Sequence, residues 1–130
     1  MTPEGKVKVK IKRLLFRYNA YFFMPATGGY GRSGVPDFVG CVNGKFFAIE
    51  TKAADNKPTA LQQEELDSIR QHKGVAFVVN EVVGYDLLVK WLEEQASLDP
   101  TYIPVEISMT VPDRRLPKRI RMPINDNLND

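Results

Sequence analysis

Cysteine and histidine are almost missing from this chain, with one of each, Cys41 and His72, in 130 residues. That excludes an internal disulfide framework and a zinc cluster, and it leads us to expect a cytosolic protein. Long apolar runs are missing too. No stretch approaches the ~20 apolar residues of a membrane-spanning helix, and the Lys-rich start is followed by no apolar block of a secretory leader. Net charge is only +2, so overall charge alone announces no polyanionic partner. No internal repeat is visible, which leaves no basis for a repeat architecture. What remains is 43% hydrophobic and 26% charged, an ordinary globular composition at a length that suits one core and not two.

Much of what is present lies between residues 28 and 52. A glycine-rich segment (Gly28, Gly29, Gly31, Gly34) leads into Gly34-Val35-Pro36-Asp37, and Glu50-Thr51-Lys52 begins thirteen residues after Asp37. Between them lie two apolar runs, Phe38, Val39, Cys41, Val42 and then Phe46, Phe47, Ala48, Ile49, divided by Asn43-Gly44. Asn-Gly between apolar runs is the strongest short hairpin signal. The hairpin brings Asp37 back beside Glu50, and strand alternation points Glu50 and Lys52 one way and Thr51 the other. Three charged groups thus converge at one end of an apolar hairpin, which is costly without a ligand. Either half alone is bland: Asp after Pro often opens a turn, and Glu-x-Lys at a strand end is usually a solvated edge. Joined by a hairpin and preceded by glycines that admit close approach of a ligand, the halves read as a site. Cys41 is expected inside, as a small core hydrophobe.

The flanking sequence supplies the other elements. Lys6 to Lys12 alternates with period two, as a strand would. Yet Val7, Ile11, Leu14, Leu15 and Tyr18 form one helical face, and Thr2-Pro3-Glu4 is a helix start, so we expect a helix over 4–18. Tyr21-Phe22-Phe23-Met24 predicts a short buried strand stopped by Pro25, followed by a loop carrying Tyr30 and Arg32. Thr59 caps an expected helix with Leu61, Leu66 and Ile69 inside, stopped at Gly74 by a left-handed residue. Unbroken apolarity at Val75–Val79 predicts a strand buried on both sides. Leu87, Leu88, Trp91 and Leu92 predict an amphipathic helix over 85–95. Tyr102 to Val111 is expected to add an edge strand. We therefore expect one domain over 1–111 and a basic, Pro-rich tail over 112–130. Basic residues gather at both ends: Lys6, Lys8, Lys10, Lys12, Arg13 and Arg17, then Arg114, Arg115, Lys118, Arg119 and Arg121. Such segregation could follow a phosphate backbone, although solvated faces produce it routinely.

Pro36-Asp37 with Glu50-x-Lys52 resembles the PD-(D/E)xK nuclease superfamily. Adding Thr59-Ala60-Leu61-Gln62 and the step Gly74-Val75 into Ala76-Phe77-Val78-Val79, residues 4 to 80 resemble its VRR-NUC family more closely. Thr51 stands where an apolar residue is commoner, and the Val-Arg-Arg triplet of the family name is missing. The resemblance implies an α/β fold, a restriction-endonuclease-like mixed β-sheet flanked by helices with an αβββαβ core. It implies Mg²⁺ or Mn²⁺ as cofactor, held by Asp37, Glu50 and the Thr51 carbonyl, with Glu4 completing the set through water. Lys52 would hold or deprotonate the attacking water, a role suited to a mobile point charge. Glu4 has an equal second reading, since an acid in a first helical turn is favoured anyway. Gln62 is implied near the site, but it also completes a capping box with Thr59; Gln63 is the alternative one residue on. Lys8, Lys10, Lys12, Arg13, Arg32 and Tyr30 are candidate DNA contacts. His72 suits a helix C-terminus, and the chain has no histidine better placed for a His-metal nuclease.

Stand-alone members of that family cut branched DNA such as four-way junctions, look like dimers and are often phage-borne. The implied function is a structure-specific DNA endonuclease, a homodimer without membrane association, in the cytoplasm or in that of a host if phage-encoded. The alternatives are a nuclease of other DNA ends or flaps, and a catalytically idle DNA-binding module. An idle module would be expected to have a broken catalytic set, whereas Asp37, Glu50 and Lys52 are all present.

Overall fold

The structure, a computed structural model, describes residues 1–26 and 31–99. Tyr30, the expected strand over 102–111 and the basic tail over 112–130 lie outside the described residues. Helix α1 (Pro3–Arg17) begins as its sequence requires: Thr2 Oγ1 accepts from Gly5 N at 3.0 Å, Pro3 opens the first turn and Glu4 follows. The helical reading prevails over the period-two lysines because Val7, Ile11, Leu14 and Leu15 all become buried on one stripe. Strand β1 (Tyr21–Phe23) follows, then β2 (Phe38–Val42) and β3 (Lys45–Thr51). Asn43 (φ 52°) and Gly44 (φ 77°) make the tight turn between the last two, the backbone that Asn-Gly favours. Helix α2 (Ala60–Gln71), strand β4 (Val75–Val79) and helix α3 (Tyr85–Leu98) complete the order.

The four strands form one mixed sheet in the order β1-β2-β3-β4, antiparallel except for the parallel β3–β4 pair. Helices flank it. On one face Phe38, Phe47 and Ile49 meet Val7, Ile11, Leu14 and Leu15 of α1 and Leu88 and Leu92 of α3. Each such buried side chain contributes ~1.5–3 kcal/mol. Gln95 joins the buried set and faces Asn43 Nδ2 at 3.4 Å, which docks α3 on the hairpin turn. Among the described residues no helix is long and apolar enough to cross a membrane.

The second face departs from expectation. Helix α2 lies mainly against β4 and β3, and on the β1–β2 half of that face several large side chains are exposed among the described residues. Tyr21, Cys41 and Phe46 are aligned across three strands there. Tyr21 and Phe23 are half exposed, and Cys41 is exposed rather than in the core. The strand expected to be buried is thus the outermost of the described strands, with Tyr21 and Phe23 half exposed. Strand β4, at the other end of the described sheet, buries Ala76 and Val79 while Val75, Phe77 and Val78 are only half-buried. Leu61 and Leu87 are exposed because helical rotation carries them away from the stripes of Leu66 and Leu88. At the end of α2 the left-handed residue is Lys73 (φ 73°) and not Gly74. Gly74 is needed for space instead: a Cβ there would lie 2.7 Å from Ile69 Cγ2.

Candidate active site

The site forms where the hairpin ends meet the first turns of α1. Phe38 pairs with Ile49, so the next residues outward, Asp37 and Glu50, flank the same sheet end. Asp37 is fixed by Thr51, which donates to its Oδ2 twice, from the backbone N at 2.9 Å and from Oγ1 at 2.6 Å. Thr51 itself is fully buried, so this clamp is rigid. The other Asp37 oxygen, Oδ1, faces Lys8 Nζ at 3.7 Å, and the same ammonium lies 3.6 Å from Glu4 Oε2. Glu50 is only 2% exposed. Its Oε2 lies 3.6 Å from Lys52 Nζ, while Oε1 is buried with no hydrogen-bond partner. The Lys52 backbone N donates to Val79 O at 3.0 Å, so β4 extends the frame past the end of β3.

Burial raises the Glu50 carboxyl first, the negative charge of Asp37 raises it further, and Lys52 opposes both; the result is about 7. A carboxylate in that condition is short of positive charge. Native proteins rarely leave a buried acceptor unsatisfied without a functional reason. Gly34 brings the preceding loop in: with φ 80° it sits where a Cβ would come within 2.6 Å of the Leu61 carbonyl carbon. No other residue type could take that conformation against the start of α2 without displacing it.

Two carboxylates, Asp37 and Glu50, are the donors that a hard divalent cation would find here. Glu50 Oε1 is a buried oxygen without a hydrogen-bond partner beside a second carboxylate, and Mg²⁺ takes one or two carboxylates while keeping several waters. Among the described residues no group of three or more His, Cys, Asp or Glu is gathered closely enough to hold a metal. The set is therefore two carboxylates, with Glu4 separated from Asp37 by the Lys8 ammonium. What Thr51 contributes visibly is its N–H and hydroxyl, both directed to Asp37.

The remaining candidates scatter. Gln62 completes the capping box, its Oε1 accepting from Thr59 N at 2.9 Å and its N donating to Thr59 Oγ1 at 3.2 Å. Gln63 Nε2 donates to Asp67 Oδ1 at 2.9 Å, so that amide is engaged on α2 itself. Arg32 is tied to Glu65 at 2.8 Å, although its side chain is mostly exposed. Lys10 lies over the Tyr85 ring at 4.0 Å from its centroid. Lys12 follows Lys8 by one turn on the same side of α1, with Arg13 next to it. The basic run of α1 thus divides between the site, α3 and the flank beyond Lys8. His72 caps α2, with Nδ1 2.8 Å from Ser68 O.

Two participants went unassigned in the sequence: the Thr51 hydroxyl, expected only as a carbonyl, and Lys8 as a member of the carboxylate cluster. The Glu4–Lys8 spacing of four on a helix was the available signal for the second. No family model matches the chain, and no curated protein matches it significantly. The functional reading rests on the geometry above and on the motif itself.

Proposed function

We propose that this chain is a Mg²⁺- or Mn²⁺-dependent DNA endonuclease with a restriction-endonuclease-like fold, of the VRR-NUC type, acting on branched DNA such as four-way junctions. The observation that carries the reading is the buried, partnerless Glu50 Oε1 beside Asp37 and Lys52. The strand order and the αβββαβ sequence of elements support it. Asp37 and Glu50 would hold the cation, with Asp37 oriented by its two bonds from Thr51. Bound there, a divalent cation supplies Lewis-acid charge for a phosphoryl oxygen and makes water a better nucleophile near neutral pH.

The chain's own groups do the rest. The Lys52 ammonium, 3.6 Å from Glu50 Oε2, would orient a water for in-line attack on phosphorus. Its charge offsets the negative charge that develops on the phosphoryl oxygens, as preorganised donors do. Lys12 and Arg13 continue the basic flank of α1 along which a DNA backbone would lie.

Resolving a four-way junction takes two symmetric cuts, which suits a twofold dimer with one site per chain. Tyr21, Phe23 and Phe46, each near half exposed on one sheet face, are side chains such a dimer would use. The reading places the protein in the cytoplasm, that of a host cell if phage-borne. Incubation with Mg²⁺ or Mn²⁺ and linear, flap, splayed and four-way DNAs tests it. Cleavage with a preference for branched forms is expected. Binding without cleavage of any of them would indicate an idle DNA-binding module. Light scattering tests the assembly, since a 14.7 kDa monomer still active on four-way junctions would contradict the dimer.

A further inference from the structure

We propose that Lys8 is a counter-ion of the site, which stands beside Asp37 and Glu4 in the metal-free protein and is released from Asp37 when the divalent metal binds at Asp37 and Glu50. The inference deepens the nuclease reading and rests on its metal site. In sequence Lys8 is one of several evenly spaced lysines. In the structure its ammonium stands 3.6 Å from Glu4 Oε2 and 3.7 Å from Asp37 Oδ1, nearly midway between two carboxylates from different elements. Both distances are ion-pair separations longer than a hydrogen bond, so the ammonium is held by charge and not by directed bonds.

Charge balance gives the arrangement its consequence. Glu4, Asp37 and Glu50 carry three negative charges, and Lys8 and Lys52 carry two positive ones. Adding a divalent cation with both lysines in place would turn the cluster from net negative to net positive around a buried Glu50 and a part-exposed Glu4, Asp37 and Lys8. Withdrawal of one ammonium removes its repulsion of the incoming cation. Lys52 is the less free of the two, with its side chain 14% exposed against 32% for Lys8. Lys8 also sits on a four-carbon stem at the outer edge of α1, from which it can swing to solvent or to a phosphate oxygen. Lys8 accordingly satisfies the carboxylates in the free protein, holds down the affinity for metal, and is released when metal enters.

The test is calorimetric titration of MnCl₂ into the full chain without DNA at pH 7.5. Four proteins are compared: wild type, Lys8→Met, Lys8→Arg and Lys6→Met. Methionine keeps the aliphatic stem and removes the competing charge, so Lys8→Met should bind Mn²⁺ about three- to tenfold more tightly. Lys8→Arg keeps the charge and should stay close to wild type. Lys6→Met removes the same unit of charge from an exposed position of the same helix and should change affinity by less than about twofold. Equal affinity in Lys8→Met and Lys6→Met, or weaker binding in Lys8→Met, overturns the exchange role while leaving the nuclease reading intact. No Mn²⁺ binding by either wild type or Lys8→Met overturns both.

Discussion

Replacing Glu50 by Gln should stabilise the metal-free protein while removing its activity. The Glu50 carboxyl sits at about 7 in the fold against an ordinary 4.5. A carboxyl raised in this way contributes its full share of stability below the unfolded value of 4.5, and that share is lost as pH rises through 7. The raised carboxyl therefore lowers stability, relative to a group without the shift, by about 1 kcal/mol at pH 5 and about 3 kcal/mol at pH 8. Glutamine has the same shape and no charge to bury, and its amide oxygen can still accept from Lys52. Allowing for the weaker partnership left to Lys52, the net gain at pH 8 should be about 1–3 kcal/mol, or roughly 4–12 °C in Tm for a domain of this size. At pH 5 the two proteins should melt within a few degrees of each other. The assay is thermal or urea unfolding in EDTA at both pH values, followed by the same melts with MnCl₂. Metal should raise the Tm of wild type at pH 8 and leave Glu50→Gln nearly unmoved, since ligands that bind only the folded state stabilise it. A Glu50→Gln protein less stable than wild type at pH 8 would refute the reasoning, because Glu50 and Lys52 would then be a stabilising ion pair and not a strained site.

Four further outcomes follow from the same geometry. Lys52→Ala should still bind Mn²⁺ in calorimetry yet lose ~10²–10⁴ in cleavage rate; a loss under about tenfold, ~1.4 kcal/mol of barrier, would remove Lys52 from the chemistry. Lys52→Arg should fail to rescue it, because a guanidinium is a poor proton acceptor with a fixed fork. Thr51→Val keeps the buried shape but deletes the 2.6 Å bond to Asp37, so Mn²⁺ affinity or cleavage should fall about 10- to 100-fold; unchanged values for both would show that the backbone bond alone orients Asp37. Neutralising Lys12 and Arg13 should lower the log–log salt slope of duplex binding by ~0.9 for each phosphate no longer neutralised, and an unchanged slope in filter binding would mark them as merely solvated.

The hairpin and its charged end were legible because short-range rules govern them: Asn43-Gly44 dictates the turn, and alternation carries Asp37, Glu50 and Lys52 to one end. The first helix was legible from Thr2-Pro3-Glu4 and its apolar stripe, against a locally plausible strand. What stayed hidden depended on which faces are covered. Tyr21, Phe23 and Cys41 have strand-like sequence, but whether they are buried depends on how far α2 reaches across the sheet, and local pattern carries no such information. The same holds for Leu61 and Leu87, whose apolarity suggested an inner face that helical rotation denies them. In the site, Lys8 read as one basic residue among several because its distinction comes from Asp37, 29 positions away in sequence and 3.7 Å away in space. The role of the Thr51 hydroxyl was hidden for a related reason. Its side chain points away from Glu50 as alternation requires, and only the placement of Asp37 turns it into a clamp.

The central claim is most directly tested by single-turnover cleavage of a four-way DNA junction by wild type, Asp37→Ala and Glu50→Gln, each with Mn²⁺ and with EDTA. Wild type is predicted to cut only with the metal. Both variants should still retard the junction in a gel and leave it uncut. Cleavage by either variant at a rate near that of wild type, or by wild type in EDTA, would contradict the assignment of Asp37 and Glu50 as the metal-holding pair.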